Sequence, residues 1–371
     1  MAPRVLIIRL SALGDILHAL PLLDALKRQW PDAFIGWLTE PAGAGLLDGH
    51  PLIDRLHVVP RREWKANRWR ALRGPLRALA RDLRSQHYDT AIDAQGLTKS
   101  ALWGLAARAP RRIGFAGRES RELAGLLNNE RVLPAPDRLH VVERNLALLQ
   151  PLGIQVRSNE IHFPVHIPAA ARTRADCILG EDEAIPLIVM NPGAGWATKI
   201  WPPECYGQLA RRLLEERPFR IALAWGPGEE PLVRAALAAA QAPPADFTLD
   251  TLPAGPGLSP LPATEFPELA AVIERATLFV GGDTGPTHLA AALAKPTVAM
   301  MGPLDARRNG PYGPGSVTIQ HAVPRRAPWW ANHRKWCDPR TDLRRVTVDE
   351  VLAACRAMLD RYAGPAAGAS P

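Results

Sequence analysis

Residues 278–293 read LFVGGDTGPTHLAAAL and limit the possible folds more than any other stretch of the chain. An apolar run from Leu278 to Val280 has the character of a buried strand. It breaks at Gly281-Gly282-Asp283-Thr284-Gly285, and an Ala/Leu helix follows with Pro286 in its first turn. A strand handing over to a helix in this way is the repeating unit of a parallel sheet. The helix start leaves backbone N–H groups unpaired and carries about half a positive charge, so it suits a phosphate. The glycines admit an anion close to the backbone, Thr284 and Thr287 add hydroxyls, and His288 adds a ring donor. Asp283 could orient an amide or a ligand hydroxyl. An ordinary turn with a capping aspartate uses the same residues, so the segment alone leaves both readings open.

The same alternation runs along the rest of the chain. Strands are expected at Val5 to Ile8, 34–38, 56–59, 89–93 and 112–115, with helical periodicity from Leu13 to Trp30, from Lys99 to Arg108 and near 139–151. Pro21 either kinks the first of these helices or starts a new one. A Pro- and polar-rich passage at 155–172 reads as a crossing, after which the pattern restarts. Strands follow at 187–190, 220–224, 278–280 and 297–300, the last closing the sheet, with helices at 203–216, 229–241, 267–275 and 348–361. Residues 243–267 hold seven prolines and read as an extended surface insertion. The expectation is an α/β chain of two doubly wound domains, 1–165 and 173–345, followed by a helix at 346–362 and a flexible tail at 363–371.

A length of 371 residues fits two domains, and 47% hydrophobic with 22% charged residues fits a soluble globular protein. No apolar run approaches the roughly 20 residues needed to span a bilayer. Arg9, Asp15 and His18 interrupt the apolar N-terminus, which argues against a signal peptide. Cys177, Cys205, Cys337 and Cys355 show no zinc-like spacing and fit reduced thiols in the cytoplasm. The net charge of +8 is concentrated: residues 61–84 hold nine Lys/Arg against two acids, with Trp64 and Trp69 among them. A second basic, Trp-rich stretch runs from Arg325 to Arg345 through Trp329, Trp330, Lys335 and Trp336. Such patches attract anionic partners, although a run of charge is also what a solvated helix face looks like.

In doubly wound sheets ligands bind beyond the carboxyl ends of the strands, and three such ends here carry unusual chemistry. Ser11-Ala12-Leu13-Gly14-Asp15 puts a carboxylate at a helix start, where it could equally be a simple dipole partner. Residues 191–202 form a glycine loop with Gly193, Gly195, Thr198 and a single lysine, Lys199, ahead of a helix; such a loop can hold a diphosphate. The third is the opening segment. No G-x-G-x-x-G, Walker lysine motif, H-E-x-x-H or D-x-D occurs. These absences argue against a nicotinamide dehydrogenase and a metal-held diphosphate, and no cofactor or metal is expected. No recognised nucleic-acid module accompanies the basic clusters, so no nucleic-acid partner is expected either.

SALGDILHALP at 11–21, DAQGLTKSAL at 93–102, KIWPPECYGQL at 199–209, WGPGEE at 225–230 and GGDTGPTHLAAAL at 281–293 occur in this order. Together they resemble the ADP-heptose:lipopolysaccharide heptosyltransferases of glycosyltransferase family 9, and the block at 93–102 most resembles heptosyltransferase I. The resemblance spans about residues 4–362. It implies a GT-B architecture: two Rossmann-like domains, an interdomain cleft and a C-terminal helix returning toward the first domain. It also implies inverting transfer from ADP-heptose to the Kdo of Kdo-lipid A at the cytoplasmic face of the inner membrane; the alternatives are a later-acting heptosyltransferase and a non-catalytic protein that binds a nucleotide sugar or nucleic acid. By the resemblance Asp15 is the general base. Gly195, Thr198, Lys199, Glu229, Asp283, Thr284, Gly285 and His288 bind the donor, and Ser11, Gly14, Arg61, Arg62, Lys65, Asp93, Gln95 and Lys99 face the anionic acceptor. The Gly-Ala-Gly-Trp run before Lys199, the 243–263 insertion and the Trp-rich 329–336 segment depart from the family pattern.

Overall fold

The computed structural model describes residues 2–61, 74–120, 122–135, 140–180, 184–325 and 336–362. Arg62, Lys65, the tryptophans at 64, 69, 329 and 330, and the tail at 363–371 lie outside the described residues. The chain divides into two compact units, Met1–His166 and Ile167–Pro371.

The first unit is built on six parallel strands: β1 (Arg4–Ile8), β2 (Phe34–Thr39), β3 (Arg55–Val58), β4 (Thr90–Asp93), β5 (Arg111–Phe115) and β6 (Glu130–Val132), in the order β3-β2-β1-β4-β5-β6. β1 runs between β2 and β4, with Ile8 opposite both Leu38 and Asp93. Its unbroken Val-Leu-Ile-Ile run reflects burial on both faces, as expected for a central parallel strand. Leu6, Ile8, Leu38, Leu83 and Tyr88 share one core. Pro21 starts a new helix: one helix covers Leu13–Leu17, and a second, with the proline in its first turn, covers Leu20–Gln29.

The second unit repeats the plan with β7 (Leu187–Asn191), β8 (Arg220–Leu223), β9 (Gly257–Pro260), β10 (Leu278–Gly282), β11 (Thr297–Met300) and β12 (Ser316–Ile319), ordered β12-β11-β10-β7-β8-β9. Read from the β9 edge, this is the strand order of the first unit, the doubly wound 3-2-1-4-5-6 pattern. The Pro203–Glu216 helix and the final Val348–Tyr362 helix pack on one another. Leu213, Leu352, Cys355 and Met358 join the same core as Ile188, Val280 and Met300.

Two expectations for the second sheet are corrected. The proline-rich 243–267 passage is not wholly an insertion, because Gly257–Pro260 forms the parallel edge strand β9 beside β8. An edge position tolerates Pro260, since one side of the strand needs no ladder donor. Phe247 of the same passage packs edge-on against Trp225, 4.9 Å between ring centroids, and Trp225 Nε1 donates to Leu261 O at 2.7 Å. β11 does not close the sheet either, because β12 pairs beyond it.

Candidate functional site

In each unit the chemistry collects where the strand order reverses, at the carboxyl ends of the first and fourth strands. In the first unit the chain leaves β1 through Arg9 and turns into the Leu13–Leu17 helix, which carries Asp15 in its first turn. Asp15 Oδ2 accepts the Ala12 N–H at 3.2 Å, and Oδ1 lies 2.8 Å from Arg9 Nη2. Arg9 is buried and also donates to Ala94 O. The carboxylate is therefore braced from beneath, yet its side chain keeps 42% exposure. Ser11 and Gly14 lie in the same turn, both partly exposed.

Neighbouring strand ends are stitched to this turn. Gln95, after β4, accepts the Leu10 N–H at 2.7 Å, and Leu10 O accepts the Glu40 N–H at 2.9 Å. Glu40 follows β2 and is almost wholly buried; it receives Lys99 Nζ at 3.1 Å on Oε1 and Arg61 on Oε2. Both cations are half exposed, so one buried carboxylate sets a pair of positive groups at the surface. Asp93 behaves differently from the other acceptor-side residues. It is 1% exposed, and Oδ1 accepts the N–H groups of Gln95 and Gly96, each at 3.1 Å, while Oδ2 accepts Asn128 Nδ2 at 3.3 Å. Burial raises its carboxyl, against hydrogen bonds that pull the other way. Asp93 thus shapes the loop that carries Gln95 and Lys99.

In the second unit β7 ends at Asn191, whose Nδ2 donates to Gly193 O at 2.9 Å and to Thr284 Oγ1 at 3.3 Å, joining the glycine loop to the turn after β10. A Cβ on Gly193 would fall 2.1 Å from the Glu229 carboxylate, so only glycine lets this loop lie on Glu229. Glu229 is half-buried and accepts the Gly226 N–H at 2.9 Å; burial raises its carboxyl, the hydrogen bond opposes this, and Glu230 adds to the rise. Gly195 is exposed, and Thr198 Oγ1 is buried without a hydrogen-bond partner among the described residues.

Lys199 closes a short turn, Ala197–Lys199, and its ammonium lies 2.7 Å from Asp283 Oδ2 and 4.6 Å above the Trp196 ring. A Cβ on Gly282 would meet Lys199 O at 2.8 Å, so the glycine allows this close crossing. Asp283 Oδ1 lies 3.1 Å from His288 Nε2. Burial works to raise the Asp283 carboxyl, but the His288 hydrogen bond and the Lys199 charge outweigh it and hold the group below its ordinary value. Thr284 is the N-cap of the Gly285–Ala292 helix; its hydroxyl pairs at 3.3 Å with Thr287 Oγ1 rather than with a helix N–H, and Thr287 is anchored on Gly282 O at 2.5 Å. A lysine, unpaired N–H groups of a helix start and a half-buried carboxylate thus converge around the carboxyl ends of β7, β8 and β10.

Asn191, Glu40 and Arg9 carry much of this architecture, and the sequence reading assigned them no role. The available signal was position: Asn191 and Glu40 are polar residues at the ends of apolar strands, immediately before prolines.

Two doubly wound sheets, one presenting a braced carboxylate and the other an anion-binding strand end, describe a glycosyltransferase of the GT-B type. The model of Glycosyltransferase family 9 (heptosyltransferase) matches residues 76–327, and the chain belongs to that family. It is 31% identical over 323 residues to lipopolysaccharide heptosyltransferase 1 of Pseudomonas aeruginosa, covering 86% of this chain and 84% of that one. With lipopolysaccharide heptosyltransferase 1 of Escherichia coli K12 it shares 30% over 326 residues, 85% of this chain and 93% of the other. The solved structure of E. coli heptosyltransferase WaaC with ADP-2-deoxy-2-fluoro heptose superimposes with a TM-score of 0.72 at 26% identity, over 95% of this chain and 99% of that one.

Proposed function

We propose that this heptosyltransferase moves heptose from ADP-L-glycero-D-manno-heptose to the Kdo of Kdo-lipid A, with inversion at the anomeric carbon, while resting on the cytoplasmic face of the inner membrane. Lys199, the helix start at Thr284–Gly285 and Thr198 hold the diphosphate, Glu229 takes the ribose hydroxyls, and Asp283 with His288 fixes the lysine. Asp15 accepts the proton as the acceptor oxygen bonds to the anomeric carbon and the bond to the departing phosphate oxygen breaks. Charge developing on ADP is met by donors already in place. Arg61 and Lys99, held by Glu40, meet the carboxylates of the acceptor, and Ser11, Gly14 and Gln95 shape the turn beside it; Arg62 and Lys65 share the basic role.

The observation that carries this reading is the 2.7 Å contact of the Lys199 ammonium with a buried aspartate at the mouth of the Gly285–Ala292 helix. It supplies a fixed positive centre where a nucleotide diphosphate would lie, and both curated relatives named above are heptosyltransferases of the first type. The test is turnover with ADP-heptose and two acceptors, Kdo-lipid A and an already heptosylated core. Product from Kdo-lipid A alone is expected, and it should persist in EDTA because Lys199 and the helix start neutralise the leaving group. Product from the heptosylated core alone would reassign the enzyme to a later step, and product from neither would overturn the reading.

A further inference from the structure

Eight large hydrophobic side chains are exposed among the described residues, and five of them, Leu102, Leu105, Leu123, Leu126 and Leu133, fall between residues 102 and 133 of the first unit. Single exposed leucines are ordinary on a soluble protein, but a contiguous group marks a surface that meets something. These residues share a neighbourhood. The Thr98–Ala106 helix packs against the Ala124–Leu127 helix. Leu123 N–H donates to Thr98 Oγ1 at 3.0 Å, and Thr98 N–H donates to Glu122 Oε2 at 3.1 Å. Leu102 lies one turn further along from Thr98, and Leu105 follows on the same face. Leu126 lines a hollow of about 290 Å³ with Gly117 and Arg131, and Leu133 reaches to within 3.2 Å of the place a Cβ on Gly117 would take. Leu126 and Leu133 are the most open of the set, at 78% and 70%.

The charge around this face is mainly positive. Lys99 and Arg108 flank the two leucines of the first helix, Arg84 reaches its end through Ala106 O at 2.8 Å, and Arg131 borders Leu126. Arg84, Arg108 and Arg131 have no carboxylate partner among the described residues. Two of the acids nearby are ion-paired, Glu119 with Arg144 and Glu130 with Arg111, each at 2.7 Å; Glu122, which accepts the Thr98 N–H, borders the same hollow and is outnumbered by the arginines. No helix among the described residues is long and apolar enough to cross a membrane. Leucines ringed by arginines match a headgroup layer, where apolar side chains sink to the acyl boundary and guanidinium groups meet lipid phosphates.

We propose that the face formed by Leu102, Leu105, Leu123 and Leu126, with Arg108 and Arg131 at its margin, docks this enzyme on an anionic bilayer. The proposal rests on the reading above for its membrane setting. The experiment needs neither donor nor acceptor, so its failure is separable from failure of the transfer reaction. The full chain is sedimented with vesicles of phosphatidylethanolamine and phosphatidylglycerol, and with vesicles of phosphatidylcholine alone. Binding to the anionic vesicles should fall about ten-fold or more in Leu123→Ser/Leu126→Ser. It should fall less, and become less sensitive to salt, in Arg108→Gln/Arg131→Gln. Turnover on an acceptor stripped of its acyl chains should be unchanged in both. Hydrogen exchange on the unsubstituted protein gives a second measurement independent of variant folding: anionic vesicles should slow exchange in residues 98–106 and 122–133. Wild-type binding by the leucine variant, or no slowing in those segments, overturns the proposal. So does a leucine variant that changes only the mass in solution, which would make the face a contact between copies of the chain.

Discussion

The two units share one strand order and place chemistry at the same two strand ends, yet each treats its buried aspartate there in an opposite way. Asp93 ends β4 and Asp283 follows β10, the fourth strand of each sheet. Asp93 meets only neutral donors, the Ser100 hydroxyl and the amides of Gln95, Gly96 and Asn128, and burial wins, raising its carboxyl. Asp283 is as deeply buried but faces Lys199 and His288, and the charges win, holding it low. In the first unit the aspartate is spent on building a loop, and the proposed reaction assigns function to more exposed neighbours: Asp15, Lys99 and Gln95. In the second unit the aspartate fixes Lys199, the cation the proposal places on the diphosphate. A shared fold therefore fixes where a site lies and leaves its chemistry to a few side chains.

The sharpest way to break the comparison is at Asp15. Replacing a general base by an isosteric amide costs about 10²- to 10⁴-fold in rate. Asp15→Asn should lower kcat by about that factor while ADP binding by titration calorimetry stays within about two-fold of the wild-type value, because the proposal places the donor contacts in the second unit. An active Asp15→Asn enzyme would remove the first unit from proton transfer altogether.

Next comes the aspartate pair. Breaking a buried ion pair by removing one partner costs about 3–5 kcal/mol. Asp283→Asn should therefore lower the urea midpoint strongly at neutral pH, with Lys199 left buried beside a neutral group. The sign of its pH dependence follows from the lowered carboxyl: the stabilisation is present above the unfolded value of about 4 and lost as pH falls through the folded value. Asp93 has the opposite sign, since a raised carboxyl contributes below about 4 and loses that contribution as pH rises through its folded value. Asp93→Asn should then change stability little at neutral pH and flatten the profile above pH 4 or so. Equal losses in the two variants would erase the distinction drawn between the units.

Lys199→Ala tests the same centre through the ligand. Hydrogen bonds to charged groups are worth about 1.5–3 kcal/mol, so the donor KM should rise roughly 10- to 100-fold. Donor KM unchanged within error would assign the lysine to structure alone.

How far the sequence foretold this arrangement depends on how local each signal is. Central strands such as Val5 to Ile8 and Leu187 to Met190 were legible because burial on both faces writes a continuous apolar run. The edges were not. β6 is Glu-Arg-Val, β9 is Gly-Leu-Ser-Pro, and β12 is Ser-Val-Thr-Ile, each short and largely half-exposed, so no run distinguishes them from loop. The phosphate-like turns stood out because glycine, proline and a lone lysine cluster within a few residues. Glu40 did not, because the residues it serves lie far along the chain, Lys99 at a separation of 59 and Arg61 at 21. Asp93 and Asp283 look alike as letters, and only the neighbours brought in by folding give them different work.

Glu40 offers the finest test of the comparison, because it is the first unit's nearest counterpart to Asp283: a buried carboxylate holding cations. The difference is exposure. Lys199 is 13% exposed, whereas Lys99 and Arg61 are about half exposed, so solvent screens their pairing. Glu40→Gln keeps the shape and removes the charge. The cations lose orientation but stay at the surface, and the acceptor KM should rise only about three- to five-fold, with kcat and donor KM unmoved. Glu40→Ala, which removes the hydrogen-bond acceptors as well, should give a larger rise. A fall in kcat in the Gln variant would mean that Glu40 acts on Asp15 through the Leu10 backbone, and a loss of donor affinity would tie it to the second unit's chemistry instead.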